Sequence, residues 1–300
     1  MSLLYRILKP VVRKVVKGSS LHREESYEEF RQASYDVQKK FKFALPKIKG
    51  YEFRDAPLDG FHIIVGKKAG SEPDRAVVYF PGGGSRRWQL PFKSSVKHYI
   101  GETGAELWIP LYPLLPDHDL MDETEFTIRV HERMLQRFQP ENIVWLGFSG
   151  GADVLMQAGR HMVQKYPELP MPGLMIPVSV SGLLMSEEAK ARMKEIDPRD
   201  PLLHWDMFDT MVKYYNPNGD LPQYILGKAD EDDYFVMAKS RGIGGLIACE
   251  HCRNAVTEME QIDLFYEELM RDYPKDKLQS WNKLRRQMPT WEELHEKYGD

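Results

Sequence analysis

Eight short apolar runs recur along this chain, at residues 51–54, 61–65, 76–80, 107–111, 143–148, 174–180, 223–226 and 245–249. Most are continuous rather than alternating, the pattern of strands covered on both faces. From Ala76 onward helical segments lie between them, notably over 123–138 and 152–166. Alternation of this kind leaves few architectures open. The expectation is an α/β fold with a mainly parallel eight-stranded sheet, helices on both faces and a helical cap. The first two runs have little between them and are expected to pair as an antiparallel hairpin.

A chain of 300 residues has room for one large domain, or for one domain carrying a smaller cap. The rhythm breaks between residues 180 and 223, where 185–195 and 205–215 read as two helices. The predicted organisation follows: N-terminal helices over 1–45, core segments over 46–182 and 217–273, a candidate cap insertion over 183–216, and a helical extension over 274–300.

Bulk properties exclude several classes. Hydrophobic residues make up 42% and charged residues 29%, ordinary values for a globular protein. A formal net charge of -4 gives no global attraction to nucleic acid. The two cysteines, Cys249 and Cys252, cannot form a disulfide framework, which fits the reducing cytoplasm where the protein is expected to reside. Near the N-terminus, apolar residues at 3, 4, 7, 8, 11, 12, 15 and 16 form a helical stripe, with Arg6, Lys9, Arg13, Lys14 and Lys17 opposite. It lacks the unbroken apolar core and small-residue cleavage site of a secretory signal, and no run is long enough to span a membrane. A helix packed on its own protein is favoured over one lying on a membrane surface.

One run leads directly into chemistry. Ile143-Val144-Trp145-Leu146-Gly147-Phe148 feeds Ser149-Gly150-Gly151, and Ala152-Asp153-Val154-Leu155 then reads as helix. A Gly-x-Ser-x-Gly between strand and helix is the setting in which a sharp turn lifts a serine hydroxyl above the sheet edge. Ser149 is the candidate nucleophile. A second glycine cluster, Pro81-Gly82-Gly83-Gly84-Ser85, follows the 76–80 run and can expose backbone N–H groups to a developing oxyanion.

A serine needs a base to take its proton. His161 lies on the helix leaving the turn and points away, His204 falls in the insertion and His295 in the tail. His251 follows the last apolar run, at a sheet edge from which a base can reach Ser149. The orienting acid is expected after the 223–226 run, where Asp230 comes first and Asp232 and Asp233 are rivals. The order serine, acid, histidine is the one expected on such a sheet.

On these residues the chain resembles the α/β-hydrolase superfamily, and within it the hormone-sensitive-lipase-like group that includes bacterial acetyl esterases. The group's His-Gly-Gly-Gly is matched by Pro81-Gly82-Gly83-Gly84, and its Tyr-x-Leu-x-Pro-Glu-His by Tyr112-Pro113-Leu114-Leu115-Pro116-Asp117-His118. Its Gly-Asp-Ser-Ala-Gly-Gly is matched by Gly147-Phe148-Ser149-Gly150-Gly151-Ala152, and its Gly-x-x-Asp by Gly227 to Asp230. The resemblance covers roughly residues 50–270 and implies Gly83, Gly84 and Gly150 as oxyanion-hole donors, with the N-terminal helices over 1–45 joining the insertion in the cap. It implies a serine carboxylesterase acting on small-molecule esters of short, acetyl-type acyl groups, with no cofactor. Pro81, Phe148 and the Cys252-Arg253 pair depart from the group's usual residues. Two alternatives stay open: an amidase or peptidase on the same triad, and a silent hydrolase-fold protein that binds a small ligand.

Other clusters carry weaker signals. Cys249-Glu250-His251-Cys252 lacks the second pair a zinc site wants, so no metal is expected. Arg86-Arg87-Trp88 reads as a solvated loop with one packed tryptophan, and Trp88 and Phe148 are candidate substrate contacts. Asp117-His118-Asp119 reads as structural bracing. The tail over 274–300 could complete the core, extend the cap or build a homodimer face.

Overall fold

The computed structural model describes residues 26–178, 191, 194, 207–222 and 225. Within them six strands form one sheet: β1 (Tyr51–Asp55), β2 (Ile63–Lys68), β3 (Ala76–Phe80), β4 (Glu106–Pro110), β5 (Ile143–Phe148) and β6 (Leu174–Val178). Their spatial order is β1-β2-β4-β3-β5-β6. The hairpin expected at the start is present, with β1 antiparallel to β2 and Phe53 opposite Gly66. The pairing of β2 with β4 is also antiparallel, whereas β4, β3, β5 and β6 run parallel. The antiparallel part of the sheet is therefore larger than the hairpin alone. Strand β2 begins at Ile63 rather than at Phe61, because Phe61 is used in the turn, where it bridges Leu58.

Alternate side chains sort the sheet into two faces, as strand geometry requires. Ala76, Val78, Phe80, Trp108 and Trp145 belong to one buried cluster with Phe126, Val130, Leu155 and Met162. These four belong to helices α3 (Leu120–Leu135) and α4 (Gly150–Lys165). Val77, Tyr79, Leu107 and Ile109 face the other way, with Val96 and Ile100 of α2 (Lys93–Gly101). Helices thus cover both faces. Both β3 and β4 are buried along their whole length, which explains their unbroken apolar runs.

Helix starts follow local chemistry. Helix α1 (Tyr27–Gln38) opens on a capping box in which Ser26 accepts from the Glu29 N–H and the Glu29 carboxylate accepts from Ser26 N–H. Asp119 and Asp122 do the same for α3, which therefore starts three residues before the helix expected from Glu123. A third cluster joins α1 to α5 (Met207–Tyr215) through Phe30, Met211, Tyr214 and Tyr215, with Leu115 and Leu120 beneath.

The apolar stripe over 3–16, most of the predicted insertion, the 245–249 run and the 274–300 extension lie outside the described residues. Of the 223–226 run only Ile225 is described, buried and in a turn, with its N–H bonded to Pro222 O. Among the described residues no helix is long and apolar enough to cross a membrane.

Candidate active site

Ser149 stands between β5 and α4 with φ 53° and ψ -128°. A non-glycine residue in this region carries strain of about 1–3 kcal/mol, which persists only where the surroundings enforce it. The enforcement is visible on both sides. A Cβ at Gly147 would sit 2.3 Å from Gly151 O, and one at Gly151 would sit 2.0 Å from Phe80 O. Only glycine lets β5 turn so tightly into α4 and lets α4 start so close to the end of β3. Serine is a favoured helix cap, yet the Ser149 side chain makes no capping bond, and its carbonyl instead accepts from Ala152 N–H at 2.7 Å.

The glycine loop after β3 lies against this turn. A Cβ at Gly82 would meet Phe148 O at 2.5 Å and Ser149 Cβ at 3.3 Å. A Cβ at Gly150 would meet Gly84 N at 2.8 Å and Gly84 Cα at 3.0 Å. The two motifs, more than sixty positions apart in sequence, are in backbone contact. Gly83 has φ 130°, Gly84 φ 59° and Ser85 φ 52°, so three successive residues hold left-handed or otherwise unusual backbone. Such a turn aims successive N–H groups to one side and can form an anion-binding concavity.

Several bonds fix the loop. Gln89 N–H donates to Gly82 O at 2.8 Å, and Leu115 N–H to Ser85 O at 2.9 Å. The Tyr112 hydroxyl donates to Pro81 O, and the Tyr215 hydroxyl to Gly84 O. Ser85 Oγ donates to Glu123 Oε2 at 2.8 Å. Glu123 is fully buried, and burial lifts its carboxyl well above the usual carboxylate range, with Asp119, Asp153 and Asp122 adding in the same direction. The Tyr112 phenol, also fully buried, is raised well above its ordinary value by burial and then by Glu123.

The expected solvated loop at 86–88 differs in part. Arg86 is buried rather than solvated: its Nε donates to Ser34 Oγ at 2.9 Å and its guanidinium lies 4.7 Å from the Phe30 ring centre. Helix α1 supplies that shell, which a local reading of Arg-Arg-Trp cannot show. Arg87 is exposed. The Trp88 indole N–H donates to Tyr112 O at 2.9 Å, so this residue packs while half-buried. Phe148 is 43% exposed beside Ser149.

His161 turns away, as expected, with Nε2 bonded to Glu125 Oε1 at 2.8 Å. The 117–119 cluster is bracing: Asp117 accepts from the Tyr35 hydroxyl at 2.6 Å, Asp119 caps α3, and His118 pairs with Asp122. The structure therefore brings Ser149, Gly83, Gly84 and Gly150 together. Asp230, its rivals Asp232 and Asp233, His251 and both cysteines lie outside the described residues. Sequence reasoning missed Ser85, Glu123 and Tyr215. Only Glu123 carried a signal, as an acid on the same helical stripe as Leu120, Thr127 and Met134.

A scan against protein-family models matches none, and a search of curated proteins finds no relative. Solved structures do match. A crystal structure of EstE5 soaked with ethyl alcohol is similar at 18% identity and a TM-score of 0.57, over 91% of this chain and 99% of that one. EstE7, described as a homologue of hormone-sensitive lipase from a metagenome library, matches at 18% identity and 0.54, over 80% and 84% of the two chains. A putative esterase from Staphylococcus aureus matches at 18% and 0.55, over 73% of each chain. With the serine turn, the glycine loop and the sheet order, these likenesses establish that the chain has the α/β-hydrolase fold.

Proposed function

We propose that this protein is a serine carboxylesterase of small-molecule esters, with a preference for short, acetyl-type acyl groups. The observation that carries the reading is the strained Ser149, whose turn meets the glycine loop twice, Ser149 against Gly82 and Gly150 against the left-handed Gly84. The structural neighbours named as esterases support the ester bond as the target. The short acyl group rests on the motif resemblance to acetyl esterases.

In this mechanism Ser149 Oγ attacks the ester carbonyl carbon while His251 takes its proton. The carbonyl oxygen becomes an oxyanion held by the N–H groups of Gly83, Gly84 and Gly150. The intermediate collapses, the C–O bond to the alcohol breaks, and His251 returns the proton to the leaving oxygen. Water activated by His251 then cleaves the acyl-enzyme and releases the acid. Asp230 holds the imidazole tautomer throughout. The scheme needs no cofactor. Phe148 is the apolar side chain offered to the substrate, and Trp88 backs the glycine loop.

Labelling with a fluorophosphonate probe, followed by mass mapping, tests the reading. Modification at Ser149 and turnover of p-nitrophenyl acetate are expected. A folded protein that resists the probe would favour a silent, ligand-binding hydrolase fold. Faster turnover of a matched amide than of the ester would favour an amidase.

A further inference from the structure

We propose that Glu123, acting through Ser85, is a positioning residue for the oxyanion hole: it anchors the end of the glycine turn against the Ser149 elbow. The inference rests on the esterase reading and extends it below the loop, to a side chain that touches no reacting atom.

The argument starts from conformation. Ser85 is the third residue in succession with positive φ and the only one of the three with a side chain. A serine gains nothing intrinsic from this region, so a tertiary contact must hold it. Ser85 is 5% exposed, and its Oγ donates to Glu123 Oε2 at 2.8 Å. Among the described residues the other contacts on the loop carbonyls come from Gln89 N–H, Arg86 N–H, Leu115 N–H, the Tyr112 and Tyr215 hydroxyls and the Gln38 amide. None of them fixes the Ser85 side chain. The Ser85–Glu123 bond is thus the tie from the turn's last residue into helix α3.

The carboxyl itself is unusual. Glu123 is 0% exposed, its Oε1 has no hydrogen-bond partner among the described residues, and its neighbours Asp119, Asp122 and Asp153 are acidic. Burial of an ionised carboxylate with one bond is unfavourable, so burial favours the neutral acid, with Oε2 accepting from Ser85. A neutral anchor suits its position: a carboxylate charge beneath the loop would oppose the oxyanion forming above it. Glutamine matches this neutral acid in shape and keeps the acceptor.

The test uses Ser85→Ala, Glu123→Ala, Glu123→Gln and the double variant Ser85→Ala/Glu123→Ala. Two readouts are taken on folded protein: p-nitrophenyl acetate kinetics, and amide hydrogen exchange of the 80–90 segment by mass spectrometry. The anchor predicts that Ser85→Ala and Glu123→Ala each lower kcat about ten- to hundredfold with KM within about twofold. The double variant should be no worse than either single one, because both remove the same bond. Exchange in 80–90 should rise about tenfold in these variants and stay at the wild-type rate in Glu123→Gln, which also keeps kcat. Wild-type kcat and exchange in Ser85→Ala would overturn the proposal, and this single-oxygen deletion decides it even if Glu123→Ala fails to fold. Strict additivity of the two single variants would overturn it as well. If the wild type hydrolyses no ester, the esterase reading fails, and the exchange rates alone still decide whether the anchor exists.

Discussion

The hydroxyl of Tyr215, the last residue of α5, donates to the carbonyl of Gly84, in the middle of the glycine turn. Tyr215 is buried, and its ring centre lies 5.8 Å from that of Phe30 on α1. One side chain therefore joins two peripheral helices to the loop that faces Ser149.

Tyr215→Phe removes that bond and keeps the ring. The half-buried Gly84 carbonyl loses a partner, so stability should fall by about 1 kcal/mol, readable from urea unfolding. If the bond steers the turn, kcat should fall several-fold while KM holds. Unchanged kcat would show that the turn is set from below alone.

Glycine substitutions separate the function of the elbow from its folding. Gly150→Ala drives a methyl to 2.8 Å from Gly84 N, where the glycine turn must shift to make room. Activity should drop about a hundredfold or more in a protein that still folds. Gly151→Ala places its methyl 2.0 Å from Phe80 O, inside the sheet, and should instead destabilise the fold by about 3 kcal/mol. Thermal unfolding alongside kcat distinguishes the two.

Phe148→Ala removes an aromatic face beside Ser149. If Phe148 contacts substrate equally in ground and transition states, KM for p-nitrophenyl acetate should rise several-fold at constant kcat. A fall in kcat at constant KM would place Phe148 in support of the elbow instead.

One buried histidine should contribute a loss of stability in acid. His131 is fully buried against the edge of Trp145, and desolvation pushes it down to about 4 despite the bond from its Nε2 side to Pro170 O at 2.7 Å. The unfolded chain binds the proton near 6.5, so between about 6.5 and 4 the unfolded state holds more protons than the folded one. Stability from this site is fully present above about 6.5 and is lost as pH falls towards 4, by about 3 kcal/mol. His131→Gln should flatten that slope in urea titrations taken from pH 7 to 4.

Much of this was legible from the residues alone. The apolar runs at 76–80 and 143–148 coincide with strands because both faces of β3 and the inner part of β5 are covered, so hydrophobicity reports burial directly. The sharp turn at Ser149 was legible because it leaves only glycine room at 147 and 151. Glu123 and Arg86 were not, since their meaning depends on partners at Ser85, Ser34 and Phe30 that no local pattern brings near. Helix α3 was placed late because its first turn is charged, and the Asp119–Asp122 capping box rather than an apolar stripe sets its start. The β2–β4 pairing was missed for a similar reason: an apolar run does not encode the direction of its neighbour.

The tie between Tyr215 and Gly84 also sets an order in time. A ribosome makes the glycine turn and the Ser149 elbow well before it reaches α5. Until Tyr215 has emerged and docked, the nascent chain holds Ser149 beside a turn that lacks one of its restraints. A prematurely terminated chain ending before α5 would carry the serine without the tyrosine's hold on the glycine turn.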